Sequence, residues 1–308
     1  MIDKILITQS IDPSGTQLLE DAGYQFDVWP GPDPMPRTLL LERLNGCVGM
    51  ISMLNDVVDD AVFAAGPLRV VAQHAVGVNN IDLAAAQARG VAIAHTPGVL
   101  TDATADLAMA LLLSAARRIV ESDRYVRAGK FEGWSPTLMR GMDLNGATLG
   151  IVGLGRIGRA VADRAKAFGM KIIHHNRTSG VPLQELLQTS DVISLHCPLT
   201  EDTHHLIDAA AFAMMKKTAI LINTARGPVV DEEALVHALQ TKAIAAAGLD
   251  VFEEEPVVHP GLMTCDNAVL LPHIGSATMG TRKRMAEMVA ENIILALAGK
   301  PLSNPVEL

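Results

Sequence analysis

Aromatic side chains are scarce in this chain, at 3% of 308 residues, with only two Trp and two Tyr. The core must therefore be filled with Ala, Val, Leu, Ile and Met, which suits sheets covered by helices better than an aromatic-rich β-sandwich. Cysteine is scarcer still. Cys47, Cys197 and Cys265 are odd in number and far apart, which argues against a disulfide framework and a Cys-based metal site and fits a reducing cytoplasm. No apolar run reaches the roughly 20 residues of a membrane span. The apolar stretch in Met1–Thr8 is too short for a signal peptide and reads as a first strand. Basic blocks are missing apart from Arg282–Arg284, and a net charge of -9 would repel nucleic-acid phosphates.

What is present is an alternation of short β-type runs with longer helical patterns. The runs are Lys4–Thr8, Cys47–Ser52, Val70–Gln73 and Val91–Ala94, with helical periodicity over Asp12–Ala22 and Ile81–Arg89. From Ala147 the rhythm restarts with Thr148–Val152, Lys171–His174, Val192–His196, Ala219–Asn223, Ala245–Asp250 and Val269–Leu271. Strands alternating with helices imply parallel sheets joined by right-handed crossovers. Two such series predict an α/β chain of two doubly wound domains. The joint falls near Thr96–Thr101, where Pro97 and Gly98 break the pattern. Residues 1–98, completed by the C-terminal helical segment 283–308, are expected to form one domain and 99–282 the other, the helix itself being read as roughly Thr281–Ala298. The stretch Asp102–Ala116 is apolar nearly all round, so it must be buried on most sides, between domains or against a second subunit.

Thr148–Gly158 reads as a strand entering a turn with Gly153, Gly155 and Gly158, followed by a helix over Arg159–Phe168. In such a turn the first glycine permits a tight bend, the second lets the backbone approach a pyrophosphate, and the third lets helix and strand pack closely. The helix N-terminus then offers free N–H groups to the phosphates. NAD sites place an acidic residue about 20 positions on, where it accepts from the ribose hydroxyls. Here that place holds Asn176, followed by Arg177 and Thr178. A neutral amide, a guanidinium and a hydroxyl suit a 2′-phosphate, so NADP(H) is expected over NAD(H), although NAD(H) remains possible.

Three later segments carry a reactive side chain just after a strand: Arg226 in Ile222–Gly227, Glu255 in Gly248–Pro256 and His273 in Leu271–Ser276. The carboxyl ends of parallel strands open onto the ligand crevice, so the three could converge. Singly, each has an ordinary alternative: a surface ion pair for the Arg, a solvated acidic turn for residues 253–255, and a backbone-bonded loop histidine.

These motifs, with Ala75–Asp82 and His196–Thr200, resemble in order and spacing the D-isomer-specific 2-hydroxyacid dehydrogenases over almost the whole length. Gly133-Trp134, Asn176–Thr178 and Asp250–Pro256 are most similar to the glyoxylate/hydroxypyruvate reductases within that family. The resemblance implies a flavodoxin-like substrate domain and a Rossmann domain. It implies that His273 protonates the developing alkoxide, that Glu255 holds its other ring nitrogen, and that Arg226 polarises the carbonyl and holds the substrate carboxylate. Backbone N–H groups of Val76 and Gly77 would complete the carboxylate site, with Ser52, Met53 and Leu54 bounding a substrate in the interdomain cleft. Cofactor contacts are implied for Arg156, Ile157, Thr104, Cys197, Pro198, Thr203, Thr224, Ala225, Asp250 and Gly275. Trp134 would close the pocket of a partner subunit, and Asp106 departs from a longer acid common at its position.

The expected activity is NADPH-dependent reduction of a small 2-oxo acid to the D-2-hydroxy acid by a cytoplasmic homodimer. Two other readings stand beside it: a reductase of a different acid such as 2-ketogluconate, and a non-enzymatic NAD(P)-sensing protein on the same fold.

Overall fold

The computed structural model describes residues 3–307; Met1 and Ile2 of the expected first strand, and Leu308, lie outside them. In chain order the first elements are β1 (Lys4–Ile7), α1 (Pro13–Asp21), β2 (Gln25–Val28), α2 (Arg37–Arg43), β3 (Cys47–Ser52), α3 (Asp60–Ala64), β4 (Val70–Gln73), α4 (Leu83–Arg89) and β5 (Ala92–Ala94). They continue with α5 (Thr101–Ala116), α6 (Ile119–Arg127), β6 (Thr148–Val152), α7 (Arg156–Ala167), β7 (Lys171–Asn176), β8 (Ser179–Gly180), α8 (Leu183–Thr189) and β9 (Val192–Leu195). Then come α9 (Ala209–Met214), β10 (Ile220–Asn223), α10 (Glu232–Gln240), β11 (Ala246–Leu249), β12 (Ala268–Leu270) and α11 (Met279–Leu297).

Two compact units result. One contains the residues up to Leu100 together with those from Ser276 onward, and the other is Thr101–Gly275. The break after Gly275 comes seven residues before the expected 282/283 boundary. Its cause is α11, which starts at Met279 with the Thr278 hydroxyl capping Thr281 N–H. Its residues Val289, Ala290 and Ile293 pack with Ile5, Ile51 and Val70 of the first unit.

The first unit carries a five-stranded parallel sheet ordered β2-β1-β3-β4-β5. Both faces are covered, one by α1 and α11 and the other by α2, α3 and α4. Double covering explains why these strands read as continuous apolar runs. Edge strand β2 was not anticipated, because Gln25 and Asp27 interrupt its apolar pattern and it is only half-buried. The strand order reverses between β1 and β3, so Ser52–Leu54 sit at a switch point, where doubly wound sheets hold ligands.

The second unit has a seven-stranded sheet ordered β12-β11-β10-β9-β6-β7-β8, parallel except for the short β7–β8 hairpin. Helices α8, α9 and α10 cover one face; α5 and α7 cover the other. The burial of α5 is therefore achieved inside this unit. Ala105, Ala108, Leu111 and Leu112 pack with Leu149, Ile222 and Val269. Its acids Asp102 and Asp106 turn outward to Arg164, at 3.0 and 2.6 Å. Most of the burial that the sequence demanded of this helix is thus met by the sheet of its own unit. Here the switch point lies between β6 and β9, at the glycine turn and at His196-Cys197.

Candidate active site

The glycine turn is built by steric necessity. Gly153 sits at φ +95°, and a Cβ there would lie 2.6 Å from the Cys197 nitrogen. A Cβ on Gly158 would lie 2.3 Å from the Gly153 oxygen, so only glycine lets α7 approach β6 this closely. Nothing lies within 4 Å of a Cβ on Gly155; its bare face borders open space, as a pyrophosphate would require. Helix α7 starts at Arg156, three residues earlier than expected. Gly155 is its N-cap with no side-chain hydrogen bond, so first-turn N–H groups of the twelve-residue helix point to the turn without a capping side chain. Arg156 is exposed there and Ile157 half-buried. These residues fit a dinucleotide.

The end of β7 is more constrained than the sequence implied. Asn176 Oδ1 accepts from Leu154 N–H at 2.7 Å, tying the second strand to the glycine turn, and Asn176 Nδ2 donates to Ser179 Oγ at 3.2 Å. The antiparallel pair Asn176–Ser179 closes a two-residue turn whose tip is Arg177 and Thr178, both exposed. On the other side of β6, Cys197 is a half-buried thiol whose pKa burial pushes up to about 11, so it is not a thiolate nucleophile. Thr203 Oγ donates to the Pro198 carbonyl at 2.7 Å within a capping box, so its hydroxyl is committed to shaping this loop.

The structure brings together the residues expected to act as acid and base. His273 Nδ1 meets Glu255 Oε2 at 2.7 Å, and Glu255 Oε1 accepts from Phe252 N–H at 3.0 Å. His273 is therefore not the backbone-bonded loop histidine of the alternative reading. It holds φ +54°, a left-handed conformation unusual for a non-glycine residue and typical of functional loops. Burial pushes the Glu255 carboxyl upward. The His273 hydrogen bond, the His273 charge and the Arg226 charge outweigh it and leave the pKa below its ordinary value. Arg226 is half-buried; burial lowers its guanidinium pKa, and the Glu255 charge acts the other way. Each feels the other's charge, so Arg226, Glu255 and His273 share one site.

Several supports have roles that the sequence did not show: Asn223 and Glu232 were not singled out there, and Thr104, Thr224 and Asp250 were expected only as cofactor contacts. Asn223 at the end of β10 is fully buried; its Oδ1 accepts from Ala225 N–H and its Nδ2 donates to the Arg226 carbonyl, both at 3.0 Å. That brace fixes Thr224–Arg226, while Arg226 Nη1 donates to the Ala225 carbonyl at 2.6 Å. Asp250, 1% exposed, accepts from Ile274 N–H at 2.7 Å and so sets the loop that presents His273. Thr104 donates to the Gly275 carbonyl at 3.2 Å and holds the end of the same loop. Thr224 Oγ is enclosed with no hydrogen-bond partner. The Arg226 and Glu255 loops touch directly: a Cβ on Gly227 would stand 1.7 Å from the Phe252 oxygen. Glu232 and Glu253 lock them with reciprocal bonds, Glu253 N–H to Glu232 Oε1 at 2.7 Å and Glu232 N–H to Glu253 Oε2 at 3.1 Å.

In the first unit, Ser52 Oγ donates to Gln73 Oε1 at 2.6 Å, and Gln73 Nε2 donates to Asn80 Oδ1 at 2.9 Å. Asn80 Nδ2 then donates to the carbonyls of Met53 and Asp56, at 3.0 and 2.8 Å. This network fixes the loop of Met53 and Leu54 against that of Val76 and Gly77, all four half-buried. In the same stretch Asp82 caps α4 by accepting from Ala85 N–H.

The chain carries the signature of a described family. Residues 109–275 match the model of the D-isomer specific 2-hydroxyacid dehydrogenase, NAD binding domain. The glyoxylate reductase of Korarchaeum cryptofilum is 48% identical over 314 residues, spanning 97% of this chain and 94% of that one. The chain belongs to the D-isomer-specific 2-hydroxyacid dehydrogenases. Among solved structures, a protein of Thermus thermophilus superposes with a TM-score of 0.95 at 46% identity, covering 99% of this chain and 100% of that one. The NADPH-dependent glyoxylate/hydroxypyruvate reductase of Sinorhizobium meliloti, in complex with NADP and malonate, gives 0.89 at 33% identity, covering 99% and 97%. This 2-hydroxyacid dehydrogenase thus has the two doubly wound parallel-sheet domains expected of it.

Proposed function

We propose that this dehydrogenase reduces a small 2-oxo acid of the glyoxylate type to its D-2-hydroxy acid, with NADPH as the preferred donor. The observation that carries the proposal is the His273–Glu255 pair with Arg226 beside it, on loops following β10, β11 and β12. When bound, the reduced nicotinamide supplies a hydride to the carbonyl carbon. Glu255 occupies Nδ1 of His273, so Nε2 is the nitrogen assigned to the substrate. As the carbonyl π bond opens, the Nε2–H proton passes to the oxygen, and the neutral imidazole regains a proton from solvent. Arg226 presents a charged, planar fork to the developing oxyanion and to the substrate carboxylate, in a half-buried position where charge acts strongly. The N–H groups of Val76 and Gly77 are assigned to the carboxylate and the Leu54 side chain to the substrate's apolar side.

The donor preference rests on the β7–β8 turn. Asn176 has its carbonyl oxygen turned to Leu154 and adds no negative charge, while Arg177 and Thr178 at the exposed tip suit a 2′-phosphate. The structural neighbour from Sinorhizobium meliloti is named as NADPH-dependent, which supports the donor, while the relatives named glyoxylate reductase support the substrate class. Homodimer formation belongs to the proposal because residues 119–134 expose Ile119, Val126, Phe131 and Trp134, the last at 84%. The deciding experiment is a panel of glyoxylate, hydroxypyruvate, pyruvate and 2-ketogluconate with NADPH and with NADH. The highest kcat/KM is expected for glyoxylate or hydroxypyruvate with NADPH. Oxidation of neither donor with any of the four would refute the enzymatic reading.

A further inference from the structure

We propose that His204, His205 and Glu253 form a binding site for a divalent cation of the zinc class. One donor atom from each lies within 4.8 Å of the other two. Two imidazoles and one carboxylate are a donor set for Zn²⁺, Ni²⁺ or Cu²⁺, whereas Mg²⁺ and Ca²⁺ favour oxygen-only shells.

The geometry arises from the backbone. Neighbouring residues in an extended chain point to opposite sides, but His205 takes φ +50°, a left-handed conformation. The two adjacent rings therefore lie side by side, with centroids 4.1 Å apart and planes 31° from parallel. The segment is anchored: His204 N–H donates to the Thr200 carbonyl at 2.9 Å, and His205 N–H to the Pro228 carbonyl at 2.8 Å. Glu253 is anchored separately. Its Oε2 and its own N–H are engaged with Glu232, leaving Oε1 to receive His205 Nε2–H at 2.5 Å.

Metal–ligand distances of about 2.0–2.2 Å in a tetrahedron set neighbouring donors roughly 3.4 Å apart. The His205–Glu253 contact must therefore open by roughly 0.9 Å, the cation replacing the shared proton. The widest pair must close by no more than about 1.4 Å, which rotation of the exposed His204 supplies. The Glu232 amide would remain bonded to Oε2 and orient the carboxylate from outside the coordination shell, as outer partners do in built metal sites.

The test is isothermal titration of the whole purified protein, stripped with chelator, with Zn²⁺ and separately with Mg²⁺. One Zn²⁺ per chain and no Mg²⁺ uptake at this site are expected. His204→Ala removes an exposed ligand that makes no contact in the proposed catalytic machinery, so fold and reductase turnover should persist while Zn²⁺ affinity falls at least tenfold. Glu253→Gln should weaken Zn²⁺ to a similar degree, with circular dichroism verifying its fold. His237→Ala, which removes an exposed histidine of α10, should leave the affinity unchanged. Absence of saturable Zn²⁺ binding, or binding weakened less than tenfold by His204→Ala, would overturn the assignment.

Discussion

Substituting Asn176 by Asp tests the basis of cofactor choice with little disturbance of the fold. Asn176 Oδ1 accepts from Leu154 N–H at 2.7 Å, and an aspartate oxygen can accept the same bond. The bond from Nδ2 to Ser179 Oγ is lost, but the turn is exposed and the loss is worth about 1 kcal/mol or less. What changes is charge. A carboxylate within about 4 Å of a phosphate costs ~1 kcal/mol in bulk water and ~4 kcal/mol at an effective dielectric of 20. Solvent at this turn keeps the effect near the lower end, about 1–2 kcal/mol, or roughly a 5- to 30-fold rise in the KM for NADPH. NADH carries no 2′-phosphate, and its ribose hydroxyls can donate to the new carboxylate, so its KM should hold or fall. Steady-state kinetics at saturating glyoxylate with both donors reads the ratio directly. Raised salt should shrink the NADPH effect, because exposed charges are screened. Equal changes for both donors would mean that the β7 end acts only through the shape of the glycine turn, and the charge argument would fail.

Other consequences of the geometry are as direct. Arg177→Ala should raise the KM for NADPH about tenfold or more and leave NADH unaffected, since a charge-assisted bond contributes about 1.5–3 kcal/mol; an equal rise for NADH would count against it. His273→Ala should lower kcat by roughly 10²- to 10⁴-fold while NADPH still binds, as followed by nucleotide fluorescence; normal turnover would remove the proposed acid. Gly227→Ala forces a Cβ to 1.7 Å from the Phe252 oxygen, so a loss of about 3 kcal/mol or more should lower Tm by several degrees and depress kcat together. Acid should destabilise the fold through His74, 8% exposed, whose pKa burial, aided by the Arg282 charge, lowers from 6.5 to about 4. Because the unfolded chain binds that proton first, this stabilisation is present above pH 6.5 and is lost as pH falls towards 4, up to about 3 kcal/mol. Denaturant midpoints for His74→Phe should fall less between pH 6.5 and 4 than those of the parent, and parallel curves would contradict the assignment. Asp56, raised by burial, works in the opposite sense in acid, which is why the comparison between variants is the informative one.

The fold was legible because its information is periodic and local. Cys47–Ser52, Val70–Gln73 and Thr148–Val152 are strands with the expected bounds, since parallel strands buried on both faces leave unbroken apolar runs. What escaped was partial exposure. β2 is a half-buried edge strand, and β8 is two exposed residues whose pairing depends on a turn. The apolar face of α5 said that something must cover it and did not say what; the sheet of its own unit does so, and a sequence carries no address for the partner of an apolar face.

The candidate site divides along a similar line. Glycines at 153, 155 and 158, and reactive side chains after strands, are visible because the residue type itself states the steric or chemical requirement. The braces are not. Asn223 acts by bonding the backbone of its own loop, and Glu232 and Glu253 by bonding backbone amides of distant segments; Asp250 was singled out only for a cofactor contact and also holds the Ile274 amide, since a polar residue at a strand end looks like any other until the fold sets its partner. Asn176 shows the limit most clearly. Its neutrality, readable from one letter, bears on which cofactor is repelled, while its bond to Leu154 N–H bears on whether the pyrophosphate turn keeps its shape. A substitution that alters only the first property separates the two, and Asn176→Asp is that substitution, since both side chains offer the oxygen that Leu154 requires.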